Sequence, residues 1–96
     1  MRYNTQLVLD YIKIDDVLHE TLKSTIRGEV RLFNGLPESE KDYGVLYSTL
    51  ARLVREDVEF YVKHMNRDGF GFLKNIDMDD VTWQIVEWRI RITLES

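Results

Sequence analysis

The chain has 96 residues, of which 44% are hydrophobic and 31% charged, a composition typical of folded globular proteins and too apolar for a disordered one. It contains no cysteine, which excludes disulfides and cysteine-based zinc sites and is typical of a protein made in a reducing compartment. Its net charge of −4, without a basic tract, disfavours a generic polyanion binder. We expect a single domain over residues 1–96.

The first predicted element is a helix over residues 5–26. Apolar side chains recur there at spacings of three and four residues: Leu7, Tyr11, Ile14, Leu18 and Leu22. Asn4 or Thr5 can cap its start, and Gly28 can end it.

A short strand is predicted next, over residues 29–34. Apolar and polar side chains alternate weakly there, and the segment runs into the turn signal Asn34-Gly35. The following residues, 36–42, are an acidic break in which Pro37 suits the start of a helix.

Residues 43–65 fit a helical template over about twenty residues, whereas a strand template fits only residues 57–62. The apolar stripe of the helix would consist of Tyr47, Leu50, Val54, Val58, Tyr61 and Met65. Because the longer match decides between the two templates, we predict a helix, ended by Gly69.

The last third of the chain is predicted to be β-structure. Residues 70–74 fit a short strand and residues 75–80 a polar turn. A long terminal strand then follows, because Trp88, Ile90, Ile92 and Leu94 alternate with Arg89, Arg91 and Thr93. The apolar parity shifts between Ile85 and Val86, which a β-bulge near Glu87 would explain. The fold class is therefore α+β, with two helices packed on a small, mostly antiparallel sheet in the order helix, strand, helix, strand, strand.

No residue pattern indicates catalysis, a cofactor or a metal. His19 and His64 lack a partner constellation that the sequence can place beside them. Asp77, Asp79 and Asp80 begin like a calcium loop, but the positions that require glycine and an acid hold Thr82 and Trp88. We therefore expect a protein that is not an enzyme.

Nucleic-acid binding is the alternative function. Residues 44–56 resemble the recognition helix of small bacterial winged-helix repressors, with residues 69–94 as the wing, and Gly69-Phe-Gly-Phe72 resembles a strand of cold-shock RNA-binding domains. A nucleic-acid-binding protein should collect its basic residues on one face, whereas an assembly subunit should interleave them with acids. The basic residues in question are Arg52, Arg55, Lys63, Arg89 and Arg91. The net charge disfavours this alternative.

Two short stretches resemble tail-terminator and tail-completion proteins of long-tailed phages. Phe33-Asn-Gly-Leu-Pro37 resembles their first strand and its exit turn. Asp80-Val-Thr-Trp-Gln84, leading into residues 89–94, resembles their long sheet strand. The resemblance implies a ring-forming virion component without catalytic residues.

The favoured function is a non-enzymatic assembly or protein-interaction protein, because two tryptophans, five tyrosines and four phenylalanines exceed what a small core can bury. The predicted interaction residues are Trp83, Trp88, Arg89, Arg91, Asp77, Asp79 and Asp80. In a head-to-tail homo-oligomer, the arginines of one copy would meet the aspartates, or the loop 38–42, of the next.

The predicted partners are proteins and not membranes. No apolar run approaches the roughly 18 residues needed to span a bilayer. The first five residues are too polar to open a signal peptide. The expected location is the cytoplasm. A phage protein would lie in the cytoplasm of the host or in the virion.

Overall fold

The computed structural model describes residues 2–64 and 75–95, and these residues are mostly helical. They form four α-helices: α1 Tyr3–Ile14, α2 Asp16–Asn34, α3 Tyr43–His64 and α4 Trp83–Glu95. Two single turns of 3₁₀ helix, Glu38–Glu40 and Met78–Asp80, precede α3 and α4. Since neither described range contains a strand, the predicted α+β class with a small antiparallel sheet is wrong, and the fold is all-α.

Helices α2 and α3 pack antiparallel to each other. Tyr61 near the end of α3 donates a hydrogen bond to Asp15, directly before α2, at 2.6 Å. At the other end of the pair, the rings of Phe33 and Tyr43 meet edge to face at 4.8 Å. Helix α4 packs against both, and α1 packs on α2 and α4. All four helices contribute to one core, which includes Val8, Leu22, Leu50, Val54, Val86 and Ile90.

The predicted helix 5–26 is two helices, because the chain turns at Asp15. This residue has extended backbone angles, and its carboxylate accepts a hydrogen bond from the backbone N–H of Leu18 at 3.0 Å. Such capping starts a new helix axis. Ile14, which belonged to the predicted stripe, is 76% exposed at the end of α1. The apolar spacing alone did not show the break, since both helices follow the same period.

The predicted strand 29–34 is wrong, because α2 continues through it to Asn34. Ile26 and Phe33 are buried, and Val30 between them packs against the core. Their spacings of four and three residues continue the helical stripe. Gly28 does not end the helix but lies within it.

Replacing Gly28 with alanine should raise the free energy of unfolding by about 0.5–1 kcal/mol, because glycine is the more costly residue inside a helix. A methyl group at this position would meet no atom within 4 Å. Gly44→Ala is the matched control, since its methyl would lie 3.3 Å from the Asp42 carboxylate that caps α3. Urea denaturation measures both changes, and a destabilised Gly28→Ala variant would contradict the prediction.

The helix predicted over residues 43–65 is confirmed as α3. Leu50, Val54 and Val58 are fully buried, as the stripe predicted. Tyr47 and Tyr61, at the edges of that stripe, remain partly exposed. Met65, the predicted end at Gly69 and the predicted strand 70–74 lie outside the described residues.

The predicted terminal strand and its bulge near Glu87 are also wrong, because residues 83–95 form α4. Trp83, Val86 and Ile90 are buried at helical spacings of three and four residues. Because a helix repeats every 3.6 residues, its apolar positions change parity along the chain. This explains the parity shift between Ile85 and Val86 without any bulge. The two segments that carried the resemblance to phage tail proteins are therefore not sheet strands. No helix among the described residues meets the length and hydropathy needed to cross a bilayer.

Candidate interaction surfaces

Trp83, a predicted interaction residue, belongs to the core. Its side chain is 6% exposed, and its indole N–H donates to the carbonyl of Met78 at 2.9 Å. The hydrogen bond satisfies the polar end of the ring inside the fold. Trp83 therefore joins the 3₁₀ turn to α4 and offers no free surface.

The predicted aspartates make contacts within the chain. Asp77 caps the 3₁₀ turn by accepting from the backbone N–H of Asp79 at 2.9 Å. Asp79 pairs with Arg55, and this hydrogen bond, followed by the one to Glu59, raises the pKa of Arg55. Asp80 accepts from Arg2 at 2.7 Å. The segment thereby ties the start of α4 to α1 and α3.

Arg91 lies between α4 and α3. Its Nε donates to Glu87 one turn earlier at 2.6 Å, and its guanidinium carbon lies 4.4 Å from the ring centroid of Tyr47. The Glu87 side chain is only 2% exposed. The burial of Glu87 was not predicted from the sequence, because the residue was assigned to a β-bulge in a strand.

Trp88 and Arg89 lie together on the outside of α4. Trp88 is 47% exposed, and the Arg89 guanidinium carbon lies 5.9 Å from its ring centroid. Ile92, one turn further, is also exposed. We call these three residues the α4 face. A groove beside it is lined by His19 and by two positively charged residues, Lys13 and Arg89.

A second apolar surface lies where α2 ends and α3 begins. A groove of about 310 Å³ is lined by apolar side chains from both helices and their connection: Leu32, Phe33, Leu36, Val45 and Leu46. Glu29, Glu40 and Asp42 line the same groove. We call it the acidic groove. Only the acidic loop of this groove was predicted from the sequence, because its apolar lining combines residues from two helices.

Most of the basic residues named for the nucleic-acid alternative are interleaved with acids. Arg52 pairs with Glu56 at 3.0 Å, Arg55 pairs with Glu59 and Asp79, and Arg91 pairs with Glu87. Three of the five residues named for that alternative therefore pair with acids.

A carboxylate–tyrosine cluster holds the junction of α1 and α2. Asp15 accepts hydrogen bonds from Tyr11 at 2.8 Å and Tyr61 at 2.6 Å. Burial alone would raise the pKa of Asp15, but hydrogen bonds from Tyr61, the Leu18 backbone N–H and Tyr11 outweigh it and lower the pKa. Burial, then the hydrogen bond to Asp15, raises the pKa of Tyr11. The cluster therefore caps the start of α2 and links α1, α2 and α3.

No group of three or more histidine, aspartate or glutamate side chains in the described ranges could hold a metal ion. His19 lines the groove beside the α4 face, and His64 packs against Phe60 at the end of α3.

Comparisons with protein-family models, curated proteins and solved structures gave no match to this chain.

Proposed function

We propose that this is a non-enzymatic interaction protein that assembles head to tail with copies of itself. The α4 face of one copy occupies the acidic groove of the next. The observation that carries the proposal is the complementarity of these surfaces: an exposed aromatic residue beside an arginine, and an apolar groove lined by three acids.

Trp88 and Ile92 would supply the apolar contact. They lie four residues apart on α4, so they share one side of the helix. In the groove they would meet Leu32, Leu36 and Val45, all of which are exposed in the single copy. Tryptophan and arginine are among the residue types that most often dominate interface energies.

Charge would set the register of the contact. Arg89 would face Glu40 and Asp42 on the rim of the groove. Each exposed pair contributes only about 0–1 kcal/mol, so the affinity would come from the tryptophan while the charges exclude other orientations.

The α4 face and the acidic groove share no residue, and the proposed head-to-tail contact between them is heterologous. Such a contact closes into a ring if the rotation between copies allows it, and otherwise extends into a filament. A ring-forming virion role, as implied by the phage resemblance, stays a prediction.

The test uses two variants that each damage one surface. Trp88→Ala removes the anchor, and Val45→Asp places a charge in the groove. We expect the wild type to oligomerise with rising concentration, as measured by analytical ultracentrifugation, and each variant to be monomeric. An equimolar mixture should form heterodimers and nothing larger, since one intact face then meets one intact groove.

Arg52→Glu is the control, because this exposed arginine lies outside both surfaces. It should assemble as the wild type does. A wild type that stays monomeric at millimolar concentration would overturn the proposal. Recovery of higher oligomers in the mixture would exclude the head-to-tail arrangement.

A further inference from the structure

A cavity of about 370 Å³ between α2 and α4 combines an apolar lining with a positive rim. Ile26, Val30 and Leu94 supply the apolar part. The polar lining consists of Arg27, Arg31, Arg91 and Asn34, and no acid among the described side chains lines the cavity.

The two arginines from α2 have no ion pair with an acid within 4 Å among the described residues, whereas Arg2, Arg52 and Arg55 each have one. Arg27 acts on Glu20 only as a secondary cause of its lowered pKa, after the hydrogen bond from Lys23. Arg27 and Arg31 are four residues apart on one side of the helix. Like charges at this spacing destabilise a helix.

The third arginine comes from the opposite wall in a fixed orientation. Its contacts with Glu87 and the Tyr47 ring hold the Arg91 side chain between α4 and α3. Glu87 offsets part of its charge, so Arg27 and Arg31 supply most of the positive potential. The C-terminal ends of α2 and α4 are nearby, and their partial negative charge opposes part of the positive potential of the guanidinium groups.

We propose that this cavity binds a small phosphate monoester with an apolar body. Guanidinium groups bind phosphate oxygens through paired N–H donors, and the amide of Asn34 adds a further donor. Ile26, Val30 and Leu94 would contact the apolar body. The volume lies within the range of small-molecule sites. The site shares no residue with the α4 face or the acidic groove, so it stands independently of the proposed assembly.

The test measures binding of phenyl phosphate and inorganic phosphate by ¹⁵N-detected NMR titration at low ionic strength. We expect saturable binding of phenyl phosphate, tighter than that of inorganic phosphate, with shifts confined to residues around the cavity. Arg27→Gln and Arg31→Gln should each weaken binding about tenfold, as expected for the loss of a charge-assisted hydrogen bond.

Arg52→Gln is the matched control and should bind as the wild type does. Arg31 also lies in the last turn of α2, where a cation stabilises the helix, so circular dichroism must first show that each variant keeps its helix content. Absence of saturable binding at millimolar phenyl phosphate would overturn the proposal. So would equal affinity in folded Arg27→Gln and Arg31→Gln, or tighter binding of a single-stranded oligonucleotide at the same residues, which would assign the site to nucleic acid.

Discussion

Replacing Arg91 with alanine should lower the free energy of unfolding by about 3–5 kcal/mol, because it leaves the buried Glu87 without its partner. The Glu87 side chain is 2% exposed and the Arg91 side chain 20% exposed, at an Nε–Oε1 distance of 2.6 Å. A small domain has only about 5–15 kcal/mol of stability in total. The variant should therefore unfold at a much lower urea concentration than the wild type.

Removing both charges distinguishes the destabilisation caused by an unpaired Glu87 from the contribution of the Glu87–Arg91 pair to stability. Glu87→Leu combined with Arg91→Met should recover most of the loss, since apolar replacements of a buried pair are often neutral or stabilising. Arg52→Ala, which breaks the exposed pair with Glu56, should cost no more than about 1 kcal/mol. An Arg91→Ala variant as stable as Arg52→Ala would show that Glu87 does not depend on the pair.

Helix α3 was predictable because its pattern is long. Its apolar stripe extends over about twenty residues, whereas the competing alternation typical of a strand covers only six. The segment that became α4 is shorter, and its β-branched and aromatic residues favour a strand by propensity. Trp88 and Ile92 also reinforced the alternation, although both are exposed. Packing against α2 and α3 selects the helix, and a sequence read segment by segment does not contain that information.

The candidate surfaces were predictable only in part. Of the predicted interaction residues, Trp88 and Arg89 are exposed, whereas Trp83 is part of the core. On α4, Trp83 lies on the buried side with Val86 and Ile90, whereas Trp88 lies on the exposed side with Ile92. The acidic groove and the arginine cavity each combine residues from two helices, so they become visible only once the antiparallel packing is known.

Replacing Asp15 with alanine should cost about 2–4 kcal/mol. The change removes the cap of α2, worth about 0.5–2 kcal/mol. It also removes the acceptor for hydrogen bonds from Tyr11 and Tyr61, which link α1, α2 and α3. Exposed Asp16, the next residue, makes a suitable control, because Asp16→Ala leaves all of these hydrogen bonds in place. A loss equal to that of the control would show that the cluster does not stabilise the junction.

The same carboxylate should make stability depend on pH. Burial pushes the pKa of Asp15 upward, but the hydrogen bonds from Tyr61, Leu18 and Tyr11 bring it below its ordinary value. A group whose pKa is lower in the folded state stabilises the fold above its unfolded pKa, about 3.9, and loses this effect as the pH falls through the folded value. Asp15→Asn has an amide that does not ionise. The stability difference between the wild type and Asp15→Asn should therefore be largest near neutral pH and shrink below about pH 4. Urea midpoints measured across this range test the prediction, and a difference that stays constant would contradict it.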